Sequence, residues 1–253
     1  MSISVCMIAH NEERNIALAL ESVRWANEII VVDCESQDAT VAIVKKFTEK
    51  IFYRPNLQNL NVNKNFSFTQ ATSEWILCLD ADEIIRDELR KEIEHTIQEG
   101  KSIKGYFMKR KNYYFGNWLK YGGQFPDMQL RLFRKNFGKF PEKHVHERIE
   151  IDGKIGELHT AFEHYPYNTI SDCILKMDFY TSFEAQKYFD DNLSTDFFSI
   201  IRRMALRPVR RFFSRYILKR GFLDGMSGFL ACFMDCIAQV ISFGKYYYLK
   251  NKR

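Results

Sequence analysis

Glu74-Trp75-Ile76-Leu77-Cys78-Leu79-Asp80-Ala81-Asp82-Glu83 is the stretch on which the reading of this chain turns. Five mostly apolar residues, Trp75 to Leu79, predict a strand buried on both faces, the kind found inside a parallel sheet. The strand runs straight into two carboxylates separated by one small residue. Anions this close raise each other's proton affinity unless a cation holds them, and a divalent ion is the simplest remedy. Hard oxygen ligands suit Mg²⁺ or Mn²⁺, which keep positions open for phosphate oxygens of a substrate. The competing reading is a solvated turn ahead of a helix beginning near Ile84, with Asp82 or Asp87 as its cap.

Toward the N-terminus the same grammar repeats. Ile3 to Ala9 is an apolar run ending at His10-Asn11-Glu12, followed by a helix with Ile16, Ala19, Leu20 and Val23 on one face. Glu28 to Asp33 predicts a second strand, Ala39 to Phe47 a second helix, Lys50 to Tyr53 a short third strand and Asn61 to Ala71 a polar helix. Alternating strands and helices imply a parallel sheet that gathers ligands at the carboxyl ends of its strands. His10, Asn11, Asp33, Asp80 and Asp82 all fall at such ends.

Beyond the acidic stretch the alternation stops. Lys104 to Phe115, Asp127 to Arg134 and Glu157 to His164 predict added strands of a mixed sheet. In Asp127-Met128-Gln129-Leu130-Arg131-Leu132 the period of two puts Asp127, Gln129 and Arg131 on one polar face, fit to line a cleft. From about Thr169 the chain reads as helical. One helix runs through Tyr188, a basic one from Asp196 to Ile217 with a kink at Pro208, and, after Gly221-Phe222-Leu223-Asp224-Gly225, a last one from Met226 to Tyr248.

Composition bounds the function. With 253 residues, 46% hydrophobic and 27% charged, the chain can bury a large core. Strand-like sequence begins at Ile3 in place of a leader, which predicts a protein that is not exported. The six cysteines form no metal-finger spacing and predict reduced, packed thiols. The net charge of +5 is uneven. Residues 200–253 hold 12 Lys/Arg against 2 Asp, leaving 25 Lys/Arg against 30 Asp/Glu in the rest. Such a balance argues against a nucleic-acid partner for the main domain and for an anionic partner of the tail.

Val5 to Glu12, Val31 to Thr40 and Leu79 to Glu83 together resemble the successive donor-site motifs of the family 2 glycosyltransferases, over about the first 165 residues. The resemblance implies a GT-A fold, an α/β mixed sheet flanked by helices, with a C-terminal helical appendage. It also implies a nucleotide-sugar donor and inversion at the anomeric carbon. Within the family, His144-Val145-His146-Glu147 and the Gly221 to Gly225 motif resemble the bacterial lipopolysaccharide core β-glucosyltransferases. The implied reaction moves a hexose, glucose from UDP-glucose, onto a lipid-linked saccharide. The implied donor contacts are Ala9, His10, Asn11, Glu12, Asp33 on the uracil, Asp80, Ala81 and Asp82, and Lys64 in Asn63-Lys64-Asn65 is placed to meet phosphate.

The chemistry stands beside the resemblance. A nucleoside diphosphate leaves readily only when charge on its phosphates is neutralised, a task for Mg²⁺ or Mn²⁺ on Asp82, with Asp80 and His164 in support. An inverting transfer needs a base for the acceptor hydroxyl. Glu147 is the first choice and Asp127 the rival, unless Asp127 simply pairs with Arg131. Each site residue has a plainer role available: Asp33 as a turn carboxylate, Asp38 as a helix cap, Lys64 as a solvated lysine, Glu147 as a surface residue beside Arg148. His144 and His146 share a strand face, which allows a zinc reading that lacks further ligands.

The expected organisation is a catalytic domain over 1–165, with its nucleotide-sugar part at 1–100 and acceptor part at 101–165, and a basic, membrane-associating segment over 166–253. In the last helix positions 229, 230, 233, 236, 237, 240 and 241 form a wide apolar stripe and Asp235, Gln239 and Ser242 a narrow polar one. With the arginines ahead of it and Tyr246-Tyr247-Tyr248 behind, the stripe predicts attachment to an anionic membrane surface, at the cytoplasmic face of a bacterial inner membrane. The alternative is packing on the protein or in a homodimer. A nucleotidyltransferase of related fold and a non-catalytic nucleotide-sugar-binding protein are the rival functions. His10-Asn11-Glu12-Glu13 lacks the Gly-rich basic loop that the former needs.

Overall fold

The computed structural model describes residues 1–57, 59–99, 102–142 and 147–252. The chain falls into two compact units, one made of 1–110 and 127–164, the other of 111–126 and 165–253.

The first unit is built on a mixed sheet. Strands β1 (Ile3–Ala9), β2 (Glu28–Asp33), β3 (Ile51–Tyr53) and β4 (Trp75–Asp80) run parallel in the spatial order β3-β2-β1-β4. The connecting helices are α1 (Ile16–Ser22), α2 (Thr40–Val44) and α3 (Leu60–Gln70). The period of two sorts the side chains of these strands. Val5, Met7, Val31, Leu77 and Leu79 pack with Ile16, Ala19 and Leu20 of α1 in one core, whereas Cys6, Ile30, Ile76 and Cys78 pack with Phe68 of α3 in another. Strands walled on both faces explain the unbroken apolar runs of the sequence. Each fully buried Leu or Ile contributes about 2 kcal/mol.

Past β4 the expected helix at Ile84 is absent at that position. Glu83–Ile84 forms a short strand, β5, and the helix α4 begins at Asp87 and runs to Glu99. Glu83, Ile84 and Ile85 are all buried, and β-branched residues at such a place satisfy their backbone by pairing. Their partner is β11 (Lys154–Tyr167), where Glu163 lies opposite Ile84 and His164 opposite Glu83.

The added strands appear as expected. β6 (Ile103–Tyr114) is followed by β7 (Asn117–Trp118) and β8 (Asp127–Arg134), and the sheet continues β4-β8-β6-β11-β5 with β7 on the end of β6. A small hairpin pairs β9 (Gly138–Lys139) with β10 (Glu150–Ile151). β8 and β6 pair antiparallel, but Phe107 faces Leu130 and Tyr106 faces Leu132, so Arg131 is the extra residue of a bulge. Bulges re-aim a side chain, and this one belongs to the residue that reaches the acidic cluster.

The second unit is helical. α5 (Ile170–Asp190) starts with a capping box in which Thr169 and Asp172 bond each other's backbone. Residues 197–218 wind as α6 (Phe197–Ile201), a π-type turn, α7 (Arg207–Phe213) and a second π-type turn; Pro208 sits in the first turn of α7. After a 3₁₀ turn at Gly221–Asp224, α8 runs from Gly225 to Asn251. Gly221 comes against Gly122: a Cβ there would lie 3.3 Å from the Gly122 Cα and 2.9 Å from the Arg215 carbonyl. Asp224 then accepts the backbone N–H groups of Lys120 and Tyr121 at 3.1 and 2.8 Å. The Gly221–Gly225 motif therefore clamps the Tyr121-Gly122-Gly123 loop within this unit.

The polar stripe expected on α8 is only partly open to water, Asp235 and Gln239 being half-buried. Asp235 pairs with Arg211 and with Arg215, the latter at 2.9 Å, and Ser242 is buried. Phe243 and Tyr246 form a core with Ala185 of α5. The arginines neutralise a partly exposed carboxylate, since a charge beside apolar side chains needs a partner. All six cysteines are free thiols, five of them buried.

Candidate active site

The carboxyl ends of β2, β1 and β4 form one rim. Ala9 lies opposite Asp33 on one side, and Ile8 lies opposite Asp80 on the other. At the usual strand spacing the Cα atoms of Asp33 and Asp80 are about 10 Å apart across β1, a span suited to a nucleoside diphosphate.

Asp33 is buried. Its Oδ2 accepts the Ser36 backbone N–H at 3.3 Å, while Oδ1 is buried with no hydrogen-bond partner. A buried carboxylate oxygen left unpaired is costly, so this atom has the character of a ligand-binding acceptor. Beside it, the β1 and β2 loops interlock. His10 Nδ1 is 2.5 Å from the Cys34 carbonyl, Asn11 Oδ1 accepts from Gln37 N at 2.7 Å, and Glu12 N donates to Thr40 Oγ1 at 2.8 Å. Asn11 and Glu35 both adopt positive φ, 54° and 61°, the left-handed turns that such an approach demands. Asp38, one residue ahead of the Ala39 cap of α2, accepts from Thr40 N and Glu13 N at 2.9 and 3.1 Å and so ties the two loops together.

Asp80 overturns the simplest argument for a metal. The parity of β4 turns its side chain toward α3, and Lys64 of that helix puts Nζ 2.5 Å from Asp80 Oδ1. Arg131 Nη2 is 2.6 Å from Asp80 Oδ2 and 2.5 Å from Glu83 Oε1. Burial would raise the Asp80 pKa, yet the charges of Arg131 and Lys64 hold it well below the usual carboxylate range. Protein cations already neutralise this carboxylate. Lys64, expected to meet phosphate with a solvated lysine as the plainer role, is a largely buried ion-pair partner of Asp80.

Glu83 is fully buried, accepts the Asp80 backbone N–H at 3.0 Å, and lies 3.4 Å from Arg110. Burial pushes its pKa up against the pull of Arg131 and Arg110. Arg110 in turn is 2.7 Å from Asp127 Oδ2, and Gln129 Nε2 donates to Asp127 Oδ1 at 2.8 Å. Asp127 thus pairs with Arg110, and Arg131, the partner anticipated from strand parity, goes to the acidic stretch. Asp127–Arg110–Glu83–Arg131–Asp80–Lys64 is one continuous chain of charges, and three cations match its three carboxylates.

Asp82 lies beside His164. It is buried, and its Oδ1 is 3.6 Å from His164 Nε2. Pairing of β5 with β11 delivers His164 to this place. Burial lowers the His164 pKa to about 4 despite the Asp82 charge, so the imidazole is neutral near pH 7. Among the described residues no three His, Cys, Asp or Glu side chains gather as a closed metal cage. One carboxylate with one neutral imidazole fits an open site whose other positions go to substrate oxygens. Ala81 is buried between the two acids.

Glu147 Oε2 accepts a hydrogen bond from Asn61 Nδ2 at 3.2 Å. Asn61 and Lys64 are three apart on α3, and such residues are neighbours on a helix face, so the helix that holds Asp80 also holds Glu147. Asn59 and Asn65 continue this fastening through Glu142 and Phe140, the Asn59 bond at 2.8 Å and the Asn65 bonds at 2.9 Å. His144 and His146, and with them the zinc reading, lie outside the described residues. Sequence reasoning missed Glu83 and Arg110. The available signal was four acids within Asp80 to Glu83 and Asp127, which need basic partners, and arginines on both flanking strands.

Residues 4–209 match the sequence model described as Glycosyl transferase family 2. An uncharacterized glycosyltransferase of Rickettsia typhi is 29% identical over 257 residues, covering 96% of this chain and 86% of the relative. The lipopolysaccharide core biosynthesis glycosyltransferase LpsC of Rhizobium meliloti is 25% identical over 244 residues, covering 92% of this chain and 90% of LpsC. The crystal structure of S. aureus TarS 1–349 in complex with UDP overlays with a TM-score of 0.51 at 18% identity, covering 100% of this chain and 92% of that one. That likeness bears out the helix-flanked mixed sheet of the GT-A type. With its family model matched over most of its length and its sheet built in the same way, the chain belongs to glycosyltransferase family 2.

Proposed function

We propose that the protein transfers a hexose, glucose from UDP-glucose, with inversion, onto a lipid-linked saccharide of the lipopolysaccharide core. The observation that carries this reading is the shared rim, where Asp33, with its buried unpaired oxygen, and Asp80 flank the end of β1. The similarity to LpsC supports the class of acceptor, and the UDP in the TarS complex is in keeping with a uridine donor. Residues 1–165 form the catalytic part in this reading, and 166–253 attach it to the cytoplasmic face of the inner membrane.

The roles follow from the geometry. Asp33 Oδ1 accepts from the nucleobase or ribose, with Ala9, His10, Asn11 and Glu12 shaping the wall. Asp82 and His164 would hold Mn²⁺ or Mg²⁺, which neutralises charge growing on the departing diphosphate. Because Mg²⁺ prefers an all-oxygen shell, the imidazole favours Mn²⁺. Asp80, Ala81 and Lys64 complete the diphosphate side. Glu147 takes the proton of the acceptor hydroxyl as its oxygen bonds to the anomeric carbon and the bond to the diphosphate breaks. Asp127 suits that task less, since both its oxygens already serve Arg110 and Gln129.

A thermal-shift screen of nucleotide sugars, with and without Mn²⁺, tests the donor: UDP-glucose is expected to raise the melting temperature most. A chain stabilised by no nucleotide sugar would lose this reading. Release of UDP only when acceptor is present separates transfer from a non-catalytic binding role.

A further inference from the structure

The apolar stripe of α8 is half-buried, with Phe233 exposed, and the opposite side of the helix is packed inside its own unit. Ala231, Cys232, Ser242, Phe243 and Tyr246 of α8 are buried, and Asp235 is bound by Arg211 and Arg215. By length and composition α8 could cross a bilayer, and part of it serves as the core of its own unit.

The segment 197–218 behaves differently. Its two π-type turns, Arg202–Leu206 and Ser214–Leu218, hold more residues per turn than an α-helix. Side chains three to five residues apart can therefore stay in line. Phe198, Ile201, Leu206, Val209, Phe213 and Ile217 have that spacing and are all exposed, Phe198 to 80% and Leu206 to 61%. Contiguous exposed apolar surface on this scale marks an interaction site.

The charges beside it say with what. Arg202, Arg207 and Arg210 directly follow Ile201, Leu206 and Val209, and all three are exposed. No carboxylate among the described residues pairs with them, whereas Arg211 and Arg215 are taken up by Asp235. Unpaired arginines interleaved with exposed Phe, Leu and Val match a bilayer's anionic headgroups above its acyl chains. A protein partner would have to supply both an apolar groove and three acids.

We propose that this face of residues 197–218 is where the protein docks on an anionic lipid bilayer, with Phe198, Leu206, Val209 and Phe213 in the interface and Arg202, Arg207 and Arg210 on lipid phosphates. The inference deepens the membrane attachment proposed above and rests on it. Its assay uses no sugar transfer, so either reading can fail alone.

Sedimentation of the full chain with phosphatidylglycerol/phosphatidylcholine vesicles, against phosphatidylcholine alone, is the test. The wild type is expected to pellet with the anionic vesicles and to be released as salt rises to about 0.5 M. Replacing Arg202, Arg207 and Arg210 by Gln should weaken partition about 10²-fold, near fivefold per charge. Leu206→Glu with Phe213→Glu should leave the protein in the supernatant. The replaced side chains are exposed, so an unchanged melting temperature is expected, and the salt series on wild type stands without any variant. The proposal is overturned if wild type stays in solution, if both variants pellet like wild type, or if light scattering shows a dimer that Leu206→Glu splits, which would give the face to a second copy.

Discussion

Lys64 Nζ lies 2.5 Å from Asp80 Oδ1, and the lysine side chain is only 14% exposed. The pair ties α3 to the end of β4, and Arg131 closes the other oxygen of Asp80 at 2.6 Å. Removing one partner of a buried pair leaves the other uncompensated, a cost of about 3–5 kcal/mol, but Arg131 remains to offset part of it. Lys64→Met should therefore destabilise the fold by roughly 2–3 kcal/mol in urea titrations and lower turnover as well. A variant as stable as wild type would show the pair to be ornamental.

Asp82 is buried, with His164 at 3.6 Å as a neighbour. Under the proposed reaction, chelator treatment should stop transfer and Mn²⁺ should restore it better than Mg²⁺. Asp82→Ala should cut kcat by about 10³-fold, the several kcal/mol expected of lost metal assistance, while circular dichroism stays unchanged. His164→Ala should raise the Mn²⁺ requirement about 10- to 100-fold. Full activity in the presence of chelator would end this assignment.

For Glu147 the decisive quantity is kcat. A general base contributes about 10²–10⁴-fold, so Glu147→Gln should lose turnover by that factor with the KM for donor retained. Asn61→Ala, which removes the amide 3.2 Å from Glu147 Oε2, should cost about tenfold in kcat and about 1 kcal/mol of stability. Unaltered turnover in Glu147→Gln would pass the base role to Asp127.

Much of this molecule was legible because its parallel strands are walled on both sides. Val5, Ile30 and Leu77 sit where apolar runs demand burial, and Asp33 and Asp80 end their strands as the βα alternation predicts. What stayed hidden depends on register and long-range pairing. Nothing local tells that Ile84 pairs with Glu163 instead of starting a helix, and so nothing local brings His164 to Asp82. Lys64 is expected to meet phosphate or solvent because its helix reads as polar all round; its partner lies on a strand 16 positions away in sequence. The bulge at Arg131 breaks the period-two rule that paired it with Asp127. In α8 the narrow polar stripe gives no sign that Asp235 pairs with Arg211 and Arg215, which stand 24 and 20 positions away.

At the opposite end of β2, Glu28 supplies a pH signature independent of the active site. Its side chain is 5% exposed and accepts hydrogen bonds from Lys50, Ser4 and Thr72, the Thr72 backbone N–H at 2.8 Å. Burial alone would raise its pKa, but Lys50, Ser4 and Thr72 together bring it down to about 2. A carboxylate whose folded pKa is depressed contributes stability that is fully present above its unfolded value, near 4.5, and lost as pH falls through the folded one. Glu28→Gln should therefore lower stability at pH 7 by roughly 2–4 kcal/mol, and the gap between variant and wild type should close between about pH 4.5 and 2. Urea midpoints across that range provide the measurement. A gap that is constant with pH would mean that shape and packing at this site, not the charge of Glu28, hold Ser4, Lys50 and Thr72 together.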